Sequence, residues 1–169
     1  RGQMYFTRRK IDLARNDFLY CLDNNSSFHP TLYYLGLIAF MEKRYPDALN
    51  YFSLYMKQIE SPNSNDYVNM AVICAANRQF EKSSAMVQQA NSIRTDYVPA
   101  INCQAYLEFT VNNNKEQTIK LLEKAMSIDP DDNYAVYTFN LIKRASSLVV
   151  WVDRFDRPNN DAIGKGWTE

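Results

Sequence analysis

The chain has 169 residues, enough for one domain with a real hydrophobic core. Nineteen Lys and Arg balance nineteen Asp and Glu, so the long-range field that draws a protein to nucleic acid or to an anionic membrane surface is missing. Apolar residues make up 46% of the chain, yet no apolar run approaches the roughly 20 residues that a bilayer span needs.

Apolar residues recur at three- and four-residue steps along most of the chain, with clusters of Pro, Asn and Asp between the periodic stretches, and this predicts an all-α protein. The first helix is expected over residues 1–9 and the second over 11–24, with Arg8, Arg9 and Lys10 as the solvated turn between them. A third is expected over 29–43, where the only histidine, His29, stands at the helix start with no Cys or second His near it to make a metal site. Pro46 opens a fourth over 46–60. Helices at 64–77 and 80–93 follow, then one at 97–111 with Pro99 in its first turn. Asn112, Asn113 and Asn114 make the turn before a helix at 115–128, and Pro130, Asp131 and Asp132 lead into a ninth at 132–147. Asp131 and Asp132 are paired carboxylates, but in an exposed turn they are expected to be structural rather than catalytic.

From about Leu148 the character changes. Both tryptophans, Trp151 and Trp167, fall in the last 22 residues together with Gly164 and Gly166 and an Arg-Pro-Asn-Asn-Asp stretch. Residues 149–155 read as a strand and 156–166 as a turn-rich loop. Asp153, Asp156 and Asp161 do not have the spacing of a calcium loop, and no glycine stands at its sharp turn.

Cys21, Cys74 and Cys103 match no zinc or disulfide-framework spacing and read as small core hydrophobes, an odd count without close pairs that favours a reducing compartment. No nucleophile elbow, phosphate-cradling glycine loop or metal-binding helix motif is present, and with one histidine most acid–base schemes lose their commonest participant. The chain is therefore expected to be a binding or scaffolding protein, not an enzyme, with neither cofactor nor metal.

The helices repeat. Leu35, Gly36, Ala39, Phe40, Tyr45, Ala48, Phe52 and Tyr55 are answered at matching offsets by Met70, Ala71, Cys74, Phe80, Ser83, Val87 and Ala90. A further copy has Ala105 in the small position, then Thr118, Leu122, Ala125 and Pro130 after one extra residue in the turn. Gly2, Tyr5, Ala14, Phe18 and Cys21 are what remains of an earlier copy, so the chain starts inside a repeat and reads as a piece of a longer protein. A period of about 34 residues with a small residue on one helix facing a large one on the next is the packing requirement of stacked helical hairpins.

This pattern resembles the tetratricopeptide repeat over about residues 1–145. Pro130 stands where the family has its proline, whereas Glu60 and Thr95 replace it in the two preceding copies. The resemblance implies a right-handed superhelical array of antiparallel hairpins, an α-solenoid of about four repeats. It also implies a concave groove lined by the first helix of each hairpin. Carried over position by position, the groove is Tyr33, Leu37, Phe40 and Met41, then Val68, Val72, Ala75 and Ala76, then Asn102, Tyr106 and Phe109, and last Tyr134, Tyr137 and Leu141. Such a surface is aromatic and almost uncharged. Subtypes of the family that clamp the carboxylate end of a chaperone use Lys, Arg and Asn on these faces; here only Asn69 and Asn102 are of that kind, and no Lys or Arg converges to balance a desolvated carboxylate. The implied partner is a protein or peptide with an apolar segment, extended or helical, while the twelve tyrosines and nine phenylalanines also serve as core. Self-association, or docking of the chain's own tail near Tyr106, Phe109 and Tyr137, is the competing way to cover that surface.

The tail carries a second resemblance. Asp153-x-Phe155-x-Arg157 followed by Gly164-x-x-Trp167-Thr168 is similar to the opening of lectin-like jelly-roll domains. Its implication is a helical spacer over 1–147 that presents a carbohydrate-binding or glycan-active β-sandwich beginning in 148–169.

Overall fold

The computed structural model describes residues 1–24 and 29–144. Among the described residues there are nine α-helices and no strand. The helices are grouped in two compact units that divide between Pro62 and Asn63. The first unit holds α1 (Gly2–Thr7), α2 (Ile11–Asn24), α3 (His29–Met41) and α4 (Tyr45–Gln58). The second holds α5 (Ser64–Ala76), α6 (Phe80–Ile93), α7 (Val98–Thr110), α8 (Lys115–Ile128) and α9 (Asn133–Arg144). The expected strand at 149–155, the jelly-roll resemblance, the three tail aspartates, Trp151 and Trp167 all lie outside the described residues.

Helix starts follow the chain's own punctuation. Pro46 and Pro99 sit in the first turns of α4 and α7, where a missing N–H costs nothing. At α5, Asn63 Oδ1 accepts from the N–H groups of Asn65 and Asp66 at 2.8 and 3.1 Å, and Asp66 Oδ2 accepts from Asn63 N–H at 2.9 Å, a complete capping box. Asn114 caps α8 by accepting from Gln117 N–H at 3.0 Å.

The helices end earlier than the periodicity alone predicts, at Thr7, Met41 and Ala76, because the next residues form left-handed turns. Arg9, Lys43 and Arg78 have φ of 56°, 60° and 58°. In each case the following N–H reaches a carbonyl five residues back: Lys10 to Tyr5 at 2.9 Å, Arg44 to Ala39 at 2.8 Å and Gln79 to Cys74 at 2.9 Å. This is the Schellman closure, made here on basic residues rather than on glycine. The fourth such turn, with its extra residue, places Asn113 at φ 50°.

Inside each hairpin a small residue meets a large one. A Cβ on Gly36 of α3 would stand 2.6 Å from the Phe52 ring of α4, and one on Gly2 of α1 would stand 3.0 Å from the Phe18 ring of α2. Ala71 of α5 shares a cluster with Val87 of α6, and Ala105 of α7 with Leu122 of α8. The second helices are amphipathic and bury one stripe: Ala48, Phe52 and Tyr55; Ser83, Val87 and Ala90; Thr118, Leu122 and Ala125. In α2 the stripe ends at Phe18. Cys21 is exposed rather than core, because Leu22, one residue on, packs against the cluster in its place. The first helices differ in kind. In α3, Thr31, Leu32 and every residue from Leu35 to Phe40 are buried, as expected for a helix covered on most sides.

Candidate functional site

The implied groove residues fall in both units, and each set is described in its own unit. In the first, Tyr33 is half-buried, its ring 5.3 Å from that of Phe52 and 5.1 Å from that of Tyr55 between centroids. Leu37 and Phe40 are buried, and Met41 is half-buried at the end of α3. The aromatic packing extends through Tyr34, which stacks on Phe18 at 4.9 Å and meets Phe6 edge-on at 5.3 Å. Burial raises the Tyr34 hydroxyl above its ordinary pKa, with a hydrogen bond to Gln3 opposing the shift.

In the second unit the first helices α5, α7 and α9 carry the rest. Val72 on α5 and Tyr106 on α7 are both half-buried and pack against one cluster with Ala71, Val87, Cys103 and Leu107. Tyr106 also packs against a second cluster formed by α7, α8 and α9, which includes Phe109, Leu122 and Ile142. Phe109 is buried, while Tyr137 and Leu141, four residues apart on α9, are half-buried. Among the implied groove residues, the ones that combine a half-buried side chain with a place in this unit are Val72, Ala76, Tyr106, Tyr134, Tyr137 and Leu141.

Two carboxamides stand out against this apolar wall. Asn69, one turn before Val72 on α5, and Asn102, one turn before Tyr106 on α7, are each 8% exposed. Among the described residues, the Asn69 Nδ2 donor and the Asn102 Oδ1 acceptor have no hydrogen-bond partner. An unmet buried polar group of this kind costs about 1–3 kcal/mol. Asn102 Nδ2 does have a partner, donating to Asp132 Oδ1 at 3.0 Å. The same oxygen accepts the Ala135 N–H at 2.7 Å and so caps α9. Asp132 is thus half-buried and engaged, unlike the exposed Asp131, and is not the solvated turn residue expected of it. The legible signal was an aspartate three residues before Ala135 at a helix start.

The remaining polar features of the second unit hold its helices together. The Tyr97 hydroxyl donates to Asn65 Oδ1 at 3.1 Å, and the Arg94 guanidinium lies 4.8 Å from the Tyr97 ring centroid. Burial raises the Tyr97 pKa. Ser83 Oγ donates to the Ala71 carbonyl at 2.8 Å between α6 and α5. Burial also raises the Cys74 thiol and pushes the Cys103 thiol up to about 12, with a side-chain contact to Ser83 opposing the shift. Thiols in this state are neither nucleophiles nor metal ligands at ordinary pH. No group of three His, Cys, Asp or Glu among the described residues is arranged to hold a metal ion.

No family model matches the sequence, and no curated protein sequence is similar to it. Solved structures are. The structure of MamA superposes with a TM-score of 0.68 over 98% of this chain and 94% of that one, at 18% identity. The fold is that of the tetratricopeptide repeat. The TPR domain of Arabidopsis OM64 matches with a TM-score of 0.60 at 16% identity, covering 68% of this chain and 93% of its own. YrrB, described as a TPR protein with an unusual peptide-binding site, matches with a TM-score of 0.59 at 14% identity, covering 83% of this chain and 89% of its own. The α-solenoid of helix hairpins implied by Gly36, Ala71 and their large partners is therefore the fold observed.

Proposed function

We propose that the chain is a protein-interaction scaffold whose second unit binds an apolar segment of a partner along α5, α7 and α9. The observation that carries this reading is the set of half-buried apolar side chains Val72, Tyr106, Tyr134, Tyr137 and Leu141 on the first helices of the hairpins. The apolar side chains of an extended or helical segment would cover the half-buried tyrosines. Nothing in this wall favours a charged ligand. The first unit, with Met41 at the end of α3, is proposed as a further contact, since Tyr33, Leu37 and Phe40 are largely engaged with their own hairpin. The peptide-binding description of YrrB is in keeping with this reading.

A phage-displayed random peptide library panned against the full chain tests it. Enrichment of uncharged sequences rich in aliphatic and aromatic residues is expected, with binding lost in Tyr106→Ala and in Tyr137→Ala. Enrichment of peptides ending in acidic residues, or binding indifferent to both substitutions, refutes the reading. The competing occupant is the chain's own tail. Both tryptophans lie beyond residue 147, so tryptophan emission reports on that segment alone. A blue-shifted emission that moves to the red in Tyr106→Ala assigns the wall to the tail, and an emission typical of solvated indole leaves it to a partner.

A further inference from the structure

In α2 the stripe that faces the core is Ala14, Phe18 and Leu22. The opposite side of such a helix is polar in the second unit. One residue before and six after the matching Ser83 and Thr118 stand Lys82 and Gln89 on α6, and Gln117 and Lys124 on α8. At those two offsets α2 carries Leu13 and Tyr20 instead, 45% and 71% exposed, and Tyr20 is the most exposed large apolar side chain among the described residues. Leu13, Asn16 and Tyr20 follow one another at three- and four-residue steps, so they form a single ridge with the exposed Asn16 at its middle. The ends of this helix are charged against its own dipole, with Lys10 exposed just before the first turn and Asp23 exposed in the last. Asp12, which has the favourable sign, is taken up by Arg15 at 2.5 Å.

We infer that this ridge is where the chain pairs with a second copy of itself, α2 lying antiparallel to α2 about a two-fold axis that passes between Asn16 and Asp17. Leu13 and Tyr20 are equally far from that axis, so Leu13 of each copy meets Tyr20 of the other and both leave water. Lys10 and Asp23 are also equally far from it. Each Lys10 therefore approaches Asp23 of the other copy, and each misplaced charge comes to the end of the other helix whose dipole favours it. Asn16 meets its own counterpart near the axis, where an amide is both donor and acceptor and so complements itself. With nineteen charges of each sign, the chain has no net charge to hold two copies apart. The ridge lies wholly in the first unit and uses no residue of the wall on α5, α7 and α9.

Sedimentation equilibrium of the full chain, from micromolar to millimolar concentration, tests the pairing. A monomer–dimer equilibrium is expected, and it is lost in Tyr20→Lys while the helical circular dichroism is unchanged, since that side chain takes no part in the core. Lys10→Asp and Asp23→Lys are each expected to raise Kd about tenfold, because each turns a rim attraction into repulsion twice per dimer. The double variant restores opposite charges and returns Kd to within about threefold of the wild type. In a Cys21→Ser background, Asn16→Cys is expected to form a disulfide-linked dimer under copper–phenanthroline, read on a non-reducing gel. A chain that stays monomeric throughout overturns the proposal, as does a dimer that persists in Tyr20→Lys or is lost in Tyr106→Ala instead. A double variant no better than either charge reversal, or an Asn16→Cys chain that does not cross-link, overturns the antiparallel arrangement.

Discussion

Gly36→Ala is the sharpest test of the hairpin packing, because two known effects oppose each other there. Alanine in a helix interior is favoured over glycine by about 1 kcal/mol, so a free position would gain stability. At Gly36 the added Cβ would stand 2.6 Å from Phe52 Cδ2 and 3.5 Å from the Phe52 backbone nitrogen. Phe52 is 0% exposed, and its ring is held by Tyr33 at 5.3 Å and Tyr55 at 5.4 Å, so it has nowhere to turn. Overpacking of this sort costs about 1–3 kcal/mol, which wins over propensity and leaves a net loss of about 1 kcal/mol. Gly2→Ala is the control. Its Cβ would stand 3.0 Å from the outer edge of the Phe18 ring, a smaller conflict that the propensity gain roughly cancels. Urea denaturation of both variants, with Phe52→Leu alone and combined with Gly36→Ala, gives the numbers. Phe52→Leu is expected to remove most of the Gly36→Ala penalty. A Gly36→Ala variant as stable as the wild type, or a penalty indifferent to Phe52→Leu, refutes the close approach of α3 and α4.

Lys43→Gly and Arg78→Gly each relieve a left-handed residue at a Schellman turn, and after glycine's entropy cost each is expected to stabilise by about 0.5 kcal/mol in thermal or urea unfolding. Thiol labelling of the folded chain is expected at Cys21 alone, with Cys74 and Cys103 reacting only as the second unit unfolds, as mass spectrometry of the labelled peptides reads. Because the folded Cys103 thiol is raised from 9.0 to about 12, its contribution is full below pH 9 and is lost as pH rises towards 12; Cys103→Ala flattens that limb of the stability profile. Asn69→Leu replaces an unmet amide donor with an apolar group of similar size, so it is expected to leave stability unchanged or raise it by about 1 kcal/mol in urea denaturation. A clear loss of stability refutes the view that this donor goes unmet.

What was legible in the sequence was whatever depends on volume and spacing. Gly36 against Phe52 and Ala71 against Val87 are readable because a small and a large residue at a constant separation leave few other packings. The buried stripes of α4, α6 and α8 followed from the same spacing. The turn at Asn112–Asn114 was legible because asparagine favours turns, but the left-handed backbone at Arg9, Lys43 and Arg78 was not, since these residues adopt it under the compulsion of the helices they join. The site was harder. On helices as apolar as α3 and α7, periodicity does not say which side another helix will cover, so buried Leu37, Phe40 and Phe109 could not be told from half-buried Tyr106. Asp132 looked like any turn aspartate, since its partner Asn102 lies 30 residues away in the chain.

Tyr106 belongs to two clusters at once, one shared with α5 and α6 and the other with α8 and α9. Its position makes α7 the member through which the two halves of the second unit communicate. Local opening that exposes α7 amides to exchange must release both clusters, so these amides are the natural reporters of the unit's full cooperative free energy. A ligand gripping Tyr106 would slow that exchange on both sides of α7 without touching most of the residues it protects.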